Sequence, residues 1–152
     1  MLNCSTRNIE SVVSYPRGAQ RLYLDSDPFG GFDFSNDSTV IHIILAYNAL
    51  TRLDIFKFPP QLQELDLSGN AFTTIPKGII PDALGTLYLS DCVIPSMNSI
   101  ALPAHLNALF LDSLHLKTIN FPLPSELDAL SVNENPLTSL ENFTLPDSLT
   151  AL

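Results

Sequence analysis

Positive charge is scarce in this chain of 152 residues: 7 lysines and arginines stand against 16 acidic residues, giving a net charge of −9. Nucleic-acid binding needs Lys and Arg to neutralise phosphates, so that class is excluded as an expectation, and an anionic membrane surface is disfavoured for the same reason. Long apolar runs are absent as well. The longest, Val40-Ile41-His42-Ile43-Ile44-Leu45-Ala46, is far too short to span a bilayer. Met1-Leu2-Asn3-Cys4-Ser5-Thr6-Arg7 lacks the basic region and apolar core of a secretory leader. Chemistry-bearing motifs are missing too. His42, His105 and His115 are widely separated, and there is no Cys-x-x-Cys, His-Glu-x-x-His, Gly-x-Ser-x-Gly or phosphate loop. The segment Phe29-Gly30-Gly31-Phe32-Asp33-Phe34 has neither the order of a kinase Asp-Phe-Gly motif nor a catalytic loop beside it. The expectation is no catalytic residues, no metal and no cofactor.

What the chain does have is 45% hydrophobic content, enough to build a core, and 12 prolines against 6 glycines. The prolines are periodic because the whole chain is. Leu62-Gln63-Glu64-Leu65-Asp66-Leu67-Ser68-Gly69-Asn70-Ala71-Phe72 reads L-x-x-L-x-L-x-x-N-x-φ, where φ is apolar. Equivalent copies start at residues 19, 40, 84, 106 and 127, and a truncated one at 149, in steps of 21 or 22. Residues 1–18 fit as a partial copy. A proline precedes nearly every start by three residues (Pro16, Pro59, Pro81, Pro103, Pro124, Pro146), and Asp37 alone breaks that column.

Each L-x-L is a short strand whose leucines point inward, and one such strand cannot bury its own apolar face. Stacked copies can, as a parallel sheet along one side of a solenoid. The column Asn48, Asn70, Asn135, joined by Asp27, turns the chain after the strand and satisfies backbone groups there. Cys92 is a small buried substitute in that column. Leu114 offers no hydrogen bond, so its copy is expected to be locally weaker. Phe32, Leu53, Ile75, Met97, Ile119 and Leu140 form a further inner column. Phe56, Phe58, Ile80, Ile100, Leu102, Phe121, Leu123, Phe143 and Leu145, with Val13 and Tyr15, form a wall around the prolines. The 3.6-residue period is missing, so little α-helix and at most short 3₁₀ turns are expected. Cys4 and Cys92 fall in one column about 19 Å apart, too far for a bridge that needs Cα atoms within about 7 Å.

These copies resemble the leucine-rich repeat family over nearly the whole chain. The resemblance implies a single domain over residues 1–152, a right-handed β-solenoid of the α/β horseshoe kind. It would have short parallel strands on a concave face and irregular or 3₁₀ convex segments. The stretch Phe143-Thr144-Leu145-Pro146-Asp147-Ser148-Leu149-Thr150-Ala151-Leu152 is similar to ectodomains of oomycete receptor-like kinases of the tyrosine-kinase-like group. That implies an extracellular, membrane-anchored sensor with a kinase elsewhere in the protein. Capping residues are not evident at either end, so a fragment of a longer protein is expected. An intracellular scaffold, similar to phosphatase-regulating proteins with 22-residue repeats, and a secreted interaction protein or effector are the alternatives.

The outward positions of the strands supply the candidate binding residues. The middle column reads Tyr23, Ile44, Asp66, Tyr88, Phe110, Ser131. Flanking columns add Asp25, Ala46, Ser68, Ser90, Asp112, Asn133, and then Ser26, Tyr47, Gly69, Asp91, Ser113, Glu134. From these, Tyr23, Ile44, Tyr47, Asp66, Tyr88, Asp91, Phe110 and Asp112 are the ligand-contacting candidates. Aromatics give large contact area at small entropic cost, and the acids favour a basic partner, so a protein or peptide with basic and apolar groups is expected. Asn3, Asn36 and Asn142 open N-x-[ST] sequons and are the glycosylation candidates.

Overall fold

The computed structural model describes residues 2–3, 17–24, 31–139 and 144–152. Cys4, Ile9, Val13, Tyr15, Pro16, Asp25, Ser26, Asp27, Phe29, Leu140, Asn142 and Phe143 lie outside the described residues, as does the side chain of Asn3.

Period-two alternation within each repeat produces one short strand per coil. The strands are β1 (Leu2–Asn3), β2 (Arg21–Tyr23), β3 (His42–Ile44), β4 (Glu64–Asp66), β5 (Thr86–Tyr88), β6 (Ala108–Phe110) and β7 (Ala129–Ser131). They form one seven-stranded sheet in sequence order, every neighbouring pair parallel. The register follows the repeat: Leu22, Ile43, Leu65, Leu87, Leu109 and Leu130 are consecutive partners. A parallel sheet built from 21–22-residue coils is the leucine-rich repeat solenoid that the copies imply. No α-helix occurs among the described residues, and the one 3₁₀ turn is Met97–Ser99, capped by Ser96.

The core is a stack of equivalent leucines. Leu22, Leu24, Ile43, Leu45, Leu65, Leu67, Leu87, Leu89, Leu109 and Leu111 are each 0% exposed. A fully buried side chain of this size contributes about 1.5–3 kcal/mol, so the repeated column is the chief source of stability. The prolines act through their carbonyls as well as their fixed φ. The oxygens of Pro59, Pro81, Pro124 and Pro146 accept from the N–H of Leu62, Leu84, Leu127 and Leu149, three residues on, closing a turn into the next strand. Asp37 replaces this device with its side chain: Oδ1 accepts from the N–H of Thr39 at 2.7 Å and of Val40 at 2.9 Å.

The asparagine ladder bonds both within its own coil and to the coil before it. Asn70 Oδ1 accepts from the N–H of Asn48 and Leu50, while its Nδ2 donates to the carbonyls of Leu45, Leu67 and Ser68. Asn135 does the same for Leu114 and Leu116. In both cases the residue between the two donors, Ala49 or His115, takes a left-handed conformation (φ 53° and 59°). Cys92 and Leu114 present no amide oxygen, and the preceding coil adopts a different bond. There Ala71 N–H donates to Leu50 O (2.8 Å) and Val93 N–H to Asn70 O (2.9 Å), with neither residue at positive φ. The vacancy expected at Leu114 therefore falls one coil earlier, where the backbone turns differently and bonds through Val93.

The sequence columns need two further corrections. Phe32 was expected beside Leu53, yet Asp33 pairs with Lys57, and Phe32 O accepts the Lys57 N–H. Phe32 thus stands level with Phe56, in the proline-side wall, and Phe34 is the residue buried there at 1% exposure. On the same side Ile75 pairs with Ile100 rather than with Met97. The connecting segments vary in local length, so a fixed step of 21 or 22 holds for the strands and fails across the connections.

Candidate functional site

The strand face places the expected middle column in register. Tyr23, Ile44, Asp66, Tyr88, Phe110 and Ser131 are successive cross-strand partners, all half-buried. Partners on one face of a sheet stand close enough for large side chains to touch. The Tyr88 and Phe110 rings stack with centroids 4.4 Å apart and planes 8° from parallel. Burial, followed by Glu64 and Asp66, raises the Tyr88 phenol above its ordinary value.

Period-two alternation also turns the first residue of each strand outward. That gives a second column, Arg21, His42, Glu64, Thr86, Ala108 and Ala129, which the selection of the L-x-L middle residue overlooked. Its first three members form a polar chain across β2, β3 and β4. His42 Nδ1 lies 2.6 Å from Glu64 Oε2 and 3.3 Å from Arg21 Nη2, and Arg21 Nη2 lies 3.8 Å from Glu64 Oε2. Arg21 also donates to the Tyr23 hydroxyl at 3.5 Å, the leading cause of its raised pKa.

Beyond the strands the flanking columns separate. Ala46, expected at the surface, is buried at 5% exposure. Asp112 is held by its neighbours: its Oδ1 accepts from Ser131 Oγ and from the Asn133 N–H, each at 2.6 Å. Tyr47, Gly69, Asp91, Ser113 and Glu134 all sit at positive φ, between 56° and 67°. This turn conformation is imposed by the coil on each residue type in the column. Tyr47 is 60% exposed, and its hydroxyl donates to Asp91 Oδ2 at 3.2 Å, two coils away. That bond is the leading cause of the raised Tyr47 phenol. Ser113 Oγ likewise donates to Glu134 Oε2 at 3.0 Å. Tyr47 and Asp91 therefore form a rim pair beside the middle column.

Among the glycosylation candidates, Asn36 is exposed in a turn away from the strands. Asn3 lies within β1, paired with Tyr23. Cys92 is the free thiol of the described residues, buried, its Sγ 3.2 Å from Leu67 O. Burial pushes that thiol up to about 11. Among the described residues no three His, Cys, Asp or Glu side chains come together to hold a metal ion, and no helix is long and apolar enough to cross a membrane. Surface hollows occur mostly among the connecting segments, and one lies beside Arg21 and His42 at the start of their strands. One of about 380 Å³ lies between the coils at Met97, Ile100, Pro103 and Phe121. Another, of about 500 Å³, lies beside Val93, Pro95, Leu114 and His115.

The model of the family described as Leucine Rich Repeat matches residues 61–87, the stretch that carries β4 and the first two residues of β5. That match supports a leucine-rich repeat at the centre of the sheet and, with it, protein–protein recognition as the general role. No curated protein matches the chain.

Proposed function

We propose that this chain is a recognition module that binds a protein or peptide segment along its strand face. One observation carries the reading: Tyr23, Ile44, Asp66, Tyr88 and Phe110 stand in one cross-strand row and stay half-exposed, four of them large and apolar or aromatic and one acidic. Stacked repeats leave such a face as an extended surface with fixed side-chain spacing, suited to an elongated ligand. The shallow hollows among the connecting segments are small beside a macromolecular partner.

The test is a selection of displayed 12-residue peptides against the immobilised full chain. Recovered peptides are then measured against Tyr88→Ser/Phe110→Ser and against Lys77→Glu, an exposed change on the opposite side. Loss of binding to the first variant alone supports the reading. Equal binding to all three proteins sends the ligand elsewhere and overturns it.

The wider setting we infer is the ligand-sensing ectodomain of a receptor-like kinase, with all of residues 1–152 in one repeat domain. The support is the resemblance of the 143–152 stretch and an exposed Asn36-Asp37-Ser38 sequon. Sequencing the full transcript checks it. An export signal with a downstream membrane span and kinase motifs supports it. An uninterrupted cytosolic reading frame replaces it with an intracellular scaffold, and an export signal without a span replaces it with a secreted effector.

A further inference from the structure

We propose that the strand face contains a subsite for an arginine side chain of the bound peptide, at Asp66 between Ile44 and Tyr88. The inference deepens the recognition reading and rests on it. The first support is register. Ile44, Asp66 and Tyr88 are direct cross-strand neighbours, so a shorter side chain sits between two larger ones. Phe110 covers one face of the Tyr88 ring in a nearly parallel stack, which turns the other face towards position 66.

The second support is the state of the carboxylates. Glu64 is engaged by His42 and Arg21, and Asp112 by Ser131 and the Asn133 backbone. Asp66 spends Oδ1 on the Ser68 N–H at 2.9 Å, and its Oδ2 has no hydrogen-bond partner among the described residues. An acid with a free oxygen at the foot of an aromatic face suits a planar guanidinium, which stacks on the ring while its N–H groups reach the carboxylate.

Charge complementarity is the third support. Arg21 is the single Lys or Arg within the strands, and it is already held at Tyr23 and Glu64. Arg52, Lys57, Lys77 and Lys117 lie in the connections between strands. The face thus holds one guanidinium of its own in the first column and leaves the neighbouring acid of the middle column without a cation.

The experiment titrates the isotopically labelled full chain with N-acetyl-argininamide and, in parallel, with its neutral isostere N-acetyl-citrullinamide. The expected result is a saturable shift of the Tyr88 ring and Ser68 amide signals with the arginine probe. Citrulline, or added salt, should weaken it about two- to fivefold, the range of an exposed ion pair. Asp66→Asn keeps an oxygen for the Ser68 N–H and so preserves the turn, yet should lose a similar factor. Tyr88→Leu keeps apolar bulk and should lose roughly two- to fivefold from the missing ring face. Equal shifts with both probes, or shifts centred on Asp91 or Asp112, overturn the subsite. If the subsite fails while selected peptides still require Tyr88 and Phe110, only the arginine assignment falls. If those peptides bind elsewhere, the recognition reading falls with it.

Discussion

The ring of Tyr47 occupies the space that a side chain at Gly69 would need. A Cβ added at residue 69 would lie 2.2 Å from Tyr47 Cδ1, and the same residue stands at φ +67°. Left-handed backbone alone does not explain the glycine, since Asp91, Ser113 and Glu134 adopt it at equivalent positions without one. Tyr47 does, because its ring crosses this turn on the way to Asp91. Gly69→Ala should therefore destabilise the chain by about 2–4 kcal/mol, the sum of clash and left-handed strain. In a Tyr47→Ala background the same change should cost only about 1 kcal/mol. Urea denaturation of the four proteins in the double-mutant cycle measures the coupling. Additive losses would show that the ring and the glycine are independent.

Asn70 joins two coils through two accepted and three donated bonds while 2% exposed. Asn70→Ala leaves buried N–H and C=O groups unpaired. A loss of about 3 kcal/mol or more is expected. Amide hydrogen exchange should speed up at Asn48 and Leu50 in particular, which a general loosening of the fold would not single out.

Restoring the consensus asparagine at Leu114 should fail to stabilise the protein. The N–H of Val93 already donates to Asn70 O, and a β-branched valine disfavours the left-handed conformation that Ala49 and His115 adopt beside a working asparagine. Leu114→Asn gives up a side chain that is 4% exposed, at a cost of about 2 kcal/mol. Adding Val93→Asn, which tolerates positive φ, should recover part of it. Melting temperatures of the single and double variants decide; a stabilised Leu114→Asn would refute the backbone account.

The Cys92 thiol, raised by burial to about 11 from 9.0, is favoured neutral in the fold and ionises earlier in the unfolded chain. Its contribution is therefore complete below pH 9 and is lost as pH rises through 11, at about 1.4 kcal/mol per unit while the two states differ by a proton. The raised phenols of Tyr47 and Tyr88 act in the same direction from pH 10 upward. Unfolding free energies at pH 8 and pH 10.5 should differ clearly, and Cys92→Ala should reduce the difference. At pH 8 the thiol should resist alkylation until urea unfolds the chain.

The repeat frame, the parallel strand order and the scarcity of helix were legible in the sequence, because alternation within a coil fixes which residues face inward. Tyr23, Ile44, Asp66, Tyr88 and Phe110 could be aligned by counting, and the register aligned them in space. The overlooked signal was the first strand residue, outward by the same alternation, which would have given Arg21, His42 and Glu64.

Sequence by itself therefore determined the coil, its inward column and the composition of its outer face. Only the tertiary structure decided which coil each ladder position serves, that Ala46 is buried, that Phe32 stands level with Phe56, and that Tyr47 lies across Gly69. Those relations join residues about one or more coils apart. They depend on side-chain reach and on connection lengths that vary from coil to coil, neither of which the motif encodes.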